Sequence, residues 1–302
     1  MTAVSDTANL PKSHSLLMRA TIWLHVRRAL KQPAWHQDSL QAFAAHLGGQ
    51  LPEAGEGGVI LAACNDLYFE RFARSLLCSI EQQGQPQRVH LHLYQPNQTT
   101  LDTLHRLQTG FQCARISYTV DDCRLAQQQP YPIMYYASAR FLVASLILAQ
   151  TGSPVLCIDV DTLAHHPVWP AAAPVLTQGD VGLIFRPTAK LPWRRILASA
   201  VGLAATPGGQ AYCSTVARAL LSLLRYRPRY HLDQIVLHYA AELAQQHSTA
   251  RFYAMPLAFS DYEFHADSTL WTAKGGRKGA EPFQQKQQQV EIDFAALLNP
   301  AP

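Results

Sequence analysis

From residue 58 onward, short apolar runs alternate with segments whose apolar positions recur every three or four residues. "GVILAACND" (58–66) is an apolar run that stops at polar residues, the pattern of a buried strand. "YFERFARSLLCSIEQQG" (68–84) has helical spacing and ends at Gly84. "RVHLHLYQP" (88–96) alternates as a strand does and is stopped by Pro96. "QTTLDTLHRLQTG" (98–110) reads as a helix closed by Gly110, "ARISYTVDD" (114–122) as a strand, and "YYASARFLVASLILAQTG" (135–152) as a long apolar helix. "PVLCIDVDT" (154–162) is the fourth strand. The βαβαβαβ order predicts an α/β protein with a mostly parallel sheet between layers of helices.

The pattern is less regular on both sides of this block. Residues 181–187 and 197–206 read as strands, 208–226 and 232–246 as helices, and 251–259 as a late strand. The Gln-rich end, 281–302, is expected to be a loop with a short helix. Residues 1–15 look like a loose tail, 16–48 like one or two helices closed by Gly48 and Gly49, and 51–58 like a linker. "SLLMRATIWLHVRRAL" carries Arg19, His25, Arg27 and Arg28, too many charges in too short a run to span a bilayer. It is expected to pack on the domain, ahead of docking a partner or resting peripherally on a membrane. The polar N-terminus has no signal-peptide pattern, so the expected location is cytoplasmic, with the inner membrane face as the alternative.

Composition narrows the function only a little. The 302 residues are 48% hydrophobic and 15% charged, which fits a folded chain. The net charge of +4, from 25 Lys+Arg against 21 Asp+Glu, is too weak to argue for nucleic acid. It suits an anionic ligand. The cysteines, at 64, 78, 113, 123, 157 and 213, form no CxxC pair and read as buried reduced thiols.

The candidate chemistry lies in "PVLCIDVDTLAHHP" (154–167), where an apolar strand runs into Asp159 and Asp161. Carboxylates beside an apolar core need a cation. In a doubly wound sheet, ligands sit beyond the C-terminal ends of the strands. Strand alternation would put the two residues on one face, their Cα atoms about 6.5–7 Å apart. Such a pair suits Mg²⁺ or Mn²⁺ shared with a diphosphate. A plain solvated strand end is one alternative. A haloacid-dehalogenase-type phosphatase is another, but there a threonine follows the second aspartate by two positions, and here Thr162 follows Asp161 directly.

With its surroundings, the stretch resembles the "LYLDxDxxV" signature of GT-A-type glycosyltransferases, especially the family 8 group. "ILAACNDLYFERFARSLLCSI", "RVHLHLYQP", "YYASARFLVASLIL" and "LDQIVL" resemble further segments of that family in the same order, over about 58 to 280. The resemblance implies a GT-A mixed sheet flanked by helices. The domain would cover 58–285, with an N-terminal tail and helical extension (1–50) and a C-terminal tail (286–302).

It also implies a metal-dependent hexosyltransferase, retaining in preference to inverting. The donor would be a UDP- or GDP-sugar, with UDP favoured, and the acceptor a glycan, glycolipid or protein. Asp159 and Asp161 would hold the metal. Asn65, Asp66 and Tyr68 would lie around the nucleoside. Arg140 would reach the donor, and Asp233 and Gln234 would face the reacting sugar. "LWTAKGGRKG" (270–279) resembles the family's late HxxGxxK motif, so Lys274 and Lys278, with Arg277, would close over the diphosphate. The motif's histidine, usually a metal ligand, is Thr272 here. His265 or water could fill that place, or the lysines could take over part of the metal's role. His165 and His166 are further candidate ligands. Tyr131, Tyr135, Tyr136, Trp169 and Trp193 are candidate sugar-stacking rings. The departure at Thr272 also keeps open a non-catalytic nucleotide- or sugar-binding protein on the same fold.

Overall fold

The structure is a computed structural model that describes residues 14–191, 194–229 and 231–298. The expectations for 1–13, for Trp193 and for the last four residues fall outside these.

The chain opens with α1 (Leu16–Lys31) and α2 (Gln37–Ala45), followed by β1 (Gly48–Gln50) and β2 (Val59–Asn65). A helical segment then runs through α3 (Asp66–Tyr68), a π-helical turn and α4 (Arg74–Glu81). After it come β3 (Gln87–Tyr94), α5 (Gln98–Gly110), β4 (Ala114–Asp121), α6 (Arg124–Gln127), α7 (Ile133–Thr151) and β5 (Val155–Ile158). The second half holds β6 (Thr162–Ala164), α8 (Val168–Thr177), β7 (Val181–Phe185), β8 (Ile196–Leu203), α9 (Pro207–Leu224), α10 (Leu232–Gln246), β9 (Phe252–Ala254) and β10 (Leu270–Thr272). It ends with α11 (Glu281–Asp293) and α12 (Ala295–Leu298).

Eight strands form one sheet in the order β1-β4-β3-β2-β5-β8-β7-β9. The block β4-β3-β2-β5 is parallel, as the alternating pattern predicts, and β8 joins it antiparallel to β5. The sheet is therefore mixed. One face packs on α7, α9 and α10, the other on α4, α5 and α8. Strands β2 and β5 are almost wholly buried, which explains their continuous apolar runs, β3 is buried with His90 and His92 included, and β4 is only partly buried. A second, two-stranded sheet pairs β10 with β6.

Helix α1 packs on the domain, burying Ile22, Val26 and Ala29 in the core that α7, α9 and α10 share. His25 Nδ1 lies 2.7 Å from Ser222 Oγ, and Arg218 donates to the Gln32 carbonyl at 2.8 Å. Helix α7 is long and apolar enough to cross a membrane, but most of it is buried inside the protein. The six cysteines are free thiols, and all but Cys113 are buried.

Three elements differ from the sequence reading. Gly48 and Gly49 do not close a helix but form β1, paired antiparallel with β4. Gly49 has φ +74°, and a Cβ there would lie 2.5 Å from the Tyr118 carbonyl oxygen, so the close strand approach requires glycine. The expected loop at the Gln-rich end is α11, which crosses residue 285 unbroken. It buries Phe283 and Val290, and Ser75 donates to Glu291 at 2.6 Å. The fourth strand stops at Ile158, one residue before the aspartates.

Candidate active site

Strand β5 delivers Asp159 to the C-terminal edge of the sheet, where the Asp159 N–H still donates to the Ser199 carbonyl of β8 at 3.0 Å. There the chain leaves the sheet. Val160 turns into the core, and β6 begins at Thr162. The two aspartates make their closest ion pairs with different cations. Arg140 donates to Asp159 Oδ1, whereas Lys278 Nζ lies 2.7 Å from Asp161 Oδ2.

Arg140 comes from the middle of α7, among apolar residues. It also donates to the carbonyls of Ala198 at 2.8 Å and Ile158 at 3.4 Å, and its other terminal nitrogen is 3.7 Å from Asp233 Oδ2. Burial works against its charge, but Asp159 and Asp233 outweigh this and hold its pKa above the usual arginine value. For Asp159 burial pushes upward, while Arg140, with Lys274 and Lys278, pulls its pKa below the ordinary value. Asp161 is pushed up by burial and by the neighbouring Asp159 charge, with Lys278 opposing. Asp233 and Gln234 stand in the first turn of α10, both buried. Burial pushes the Asp233 pKa up, against Arg140.

Strand β10 brings the late loop to this point. Thr272 pairs with Thr162, and the Ala273 N–H donates to the Asp161 carbonyl at 2.8 Å. The turn Gly275–Gly279 then aims Lys278 at Asp161. Lys278 also donates to the Tyr68 hydroxyl at 3.0 Å, and its ammonium sits 4.6 Å over the Tyr68 ring and 5.2 Å from Phe72. Lys274 is exposed and within electrostatic reach of Asp159. Arg277 does not join these lysines. It is held by Glu263 at 2.6 Å and by the Tyr262 carbonyl.

The structure thus brings Tyr68, Arg140, Asp159, Asp161, Asp233, Lys274 and Lys278 to one end of the sheet. Asn65 and Asp66 stand at the same edge but serve the backbone. Asn65 Oδ1 caps the turn by accepting from the Tyr68 N–H at 3.1 Å. Asp66 Oδ1 accepts from the Asn97 N–H at 3.0 Å and the Thr100 hydroxyl at 2.7 Å, tying β2 to the start of α5. Of the aromatic candidates, Tyr135 is buried with its hydroxyl on Asp121, and Trp169 packs against Gly57 and Gly58.

A resident divalent ion does not fit this donor set. Each aspartate already faces a cation of the chain. The Thr272 hydroxyl is buried 3.2 Å from that of Thr162. His265 Nδ1 is 3.0 Å from Asp261 Oδ2. His165 stacks on Trp271 at 4.4 Å, and His166 Nε2 meets the Ala266 carbonyl at 2.9 Å. Among the described residues, no three His, Cys, Asp or Glu side chains gather as metal ligands do.

Three groups escaped the sequence reading. Arg186 and Arg194 lie within electrostatic reach of His231, as do Asp233 and Lys274. The visible signal for the arginines was the cation density of "RPTAKLPWRR" between two strands. Asp261, whose carboxylate accepts from the Glu263 and His265 N–H groups at 2.8 and 2.6 Å and from Ser268 at 2.8 Å, left no signal.

No protein-family model and no curated protein sequence matches this chain. Solved structures do. The apo structure of the WbbM bifunctional glycosyltransferase superposes with TM-score 0.55 at 10% identity, over 80% of this chain and 53% of that one. The galactosyltransferase LgtC, in complex with donor and acceptor sugar analogs, superposes with TM-score 0.53 at 14% identity, over 80% of this chain and 100% of that one. The glycosyltransferase GlyE of Streptococcus pneumoniae TIGR4 gives TM-score 0.52 at 10% identity, over 81% and 63%. The chain has the GT-A glycosyltransferase fold. It spans about half the length of WbbM, under two thirds of GlyE and the whole of LgtC. The GT-A likeness agrees with the resemblance seen in the sequence. It also sets aside the phosphatase alternative, which belongs to a different fold.

Proposed function

We propose that this chain transfers a sugar from a nucleoside-diphosphate sugar, by preference a UDP-sugar, to an acceptor hydroxyl. One observation carries this reading. Asp159 and Asp161 lie at the end of β5 in a GT-A sheet, with Arg140 on one side and the lysines of the late loop on the other.

In the reaction, the bond between the sugar C1 and the diphosphate oxygen breaks, and its electron pair leaves with the nucleoside diphosphate. The acceptor oxygen forms the new bond to C1 and gives up its proton to the departing phosphate oxygen. Negative charge therefore grows on the diphosphate, and fixed cations stabilise that growth more than they stabilise the bound donor. Lys278 and Lys274 are the groups able to do this. Arg140 holds Asp159 and Asp233 in register. Asp233 and Gln234 are assigned to positioning the donor sugar or the acceptor. The family 8 resemblance favours retention at C1. The acceptor is a glycan, a lipid-linked glycan or a protein.

The specific observation for a second reading, a non-catalytic nucleotide- or sugar-binding protein, is Thr272. One assay separates the two. A panel of UDP- and GDP-sugars is mixed with simple glycoside acceptors, and nucleoside diphosphate release is followed by NMR, which also reports the anomeric product. Release from one donor, lost in Asp161→Asn, supports transfer. No release from any donor, with a nucleotide still bound, supports the second reading.

A further inference from the structure

Resting on the donor-site reading above, we propose that the Lys278 ammonium takes the place of a divalent ion, so that the diphosphate is bound without metal. Asp161 is then a positioning residue for a built-in cation.

Two observations lead here. Lys278 is fixed on several sides before any ligand arrives. Asp161 holds it at 2.7 Å, the Tyr68 hydroxyl accepts from it at 3.0 Å, and the rings of Tyr68 and Phe72 lie beneath it. Its side chain remains 25% exposed, so a face is open to a ligand oxygen.

The metal's protein ligands, in contrast, are spoken for. Asp159 is bound by the buried Arg140, which among the described residues pairs with no other carboxylate except Asp233. The position across from the aspartates on β10 is the neutral, buried hydroxyl of Thr272, engaged with Thr162. A hydroxyl binds Mn²⁺ far less well than an imidazole or a carboxylate does.

Calorimetric titration of UDP and GDP, each with Mn²⁺ and with chelator, tests the proposal on the wild type, Lys278→Met and Lys278→Arg. Thermal unfolding establishes that the variants are folded. In the wild type, Kd with chelator is expected within about threefold of Kd with Mn²⁺. Lys278→Met should weaken binding at least about tenfold in both conditions, and Lys278→Arg should restore most of it. Wild-type binding that requires Mn²⁺, or Lys278→Met binding as the wild type does in chelator, overturns the inference and leaves the donor site standing. Binding of neither nucleotide in either condition overturns the donor site and the inference together.

Discussion

Arg140 of α7 joins two carboxylates that are 74 residues apart in the chain. It donates to Asp159 at the tip of β5 and lies 3.7 Å from Asp233 at the start of α10. Helix α10 is thereby held against the end of the sheet at the point where a donor would sit. The guanidinium's remaining bonds, to the Ile158 and Ala198 carbonyls, anchor it to β5 and β8.

Removing this guanidinium leaves two largely buried carboxylates facing each other. Arg140→Met is expected to cost about 3–5 kcal/mol of stability, the usual cost of breaking a buried ion pair. Urea denaturation measures it. Arg140→Lys should recover only part of the loss, because a single ammonium cannot reach both carboxylates and both carbonyls.

Tyr68 contributes a hydroxyl and a ring face to Lys278, and the two separate by mutation. Tyr68→Phe keeps the face and should weaken nucleotide binding only about twofold to fivefold. Tyr68→Ala removes both and should weaken it by about tenfold or more. Equal effects would mean that the ring does not hold the lysine.

Buried in the sheet, His90 lies 2.9 Å from Ser117 Oγ and 3.0 Å from Thr119 Oγ1. Burial, with His92 adding its repulsion, pushes its pKa from 6.5 down to about 3. Between those values the unfolded chain takes up a proton that the folded chain refuses. The unfolded state then binds more protons, so stability rises with pH across the window and falls on acidification. This ring's share is at most about 1.4 kcal/mol per pH unit, and none above pH 6.5. Urea midpoints recorded from pH 4 to 7 should slope less steeply in His90→Gln.

Strands β5 and β7 are each antiparallel to β8, so the β7–β8 connection leaves the sheet at the same edge as Asp159. It borders an open pocket of about 690 Å³ lined in part by Arg186, Lys190 and Arg194, with no carboxylate among its described lining residues. Acceptors carrying a phosphate or carboxylate should therefore be preferred over their neutral counterparts. In Arg186→Gln/Arg194→Gln, KM should rise for the charged acceptor and stay level for the neutral one.

The sequence and the structure agree where local pattern is strong. Helix α10 spans the residues its periodicity indicates, and the four parallel strands lie in the expected order of βα units. Agreement is weaker where long-range contact decides. A Gln-rich stretch carries little periodic signal, yet α11 is stable because Phe283 and Val290 meet the core. The late strand stops at Ala254 because Pro256 follows closely and cannot donate to a ladder. At the site, residue types and order were legible. The partners were not, since Lys278 on Asp161, Arg277 on Glu263 and Asp66 on α5 are set by tertiary approach.

The most direct measurement is a crystal structure with a bound nucleoside diphosphate, the nucleotide chosen by the donor panel. The account predicts diphosphate density beyond the C-terminal end of β5, with an oxygen within hydrogen-bond reach of Lys278. Density for the nucleotide elsewhere on the molecule, with the Asp161–Lys278 pair untouched, would contradict it.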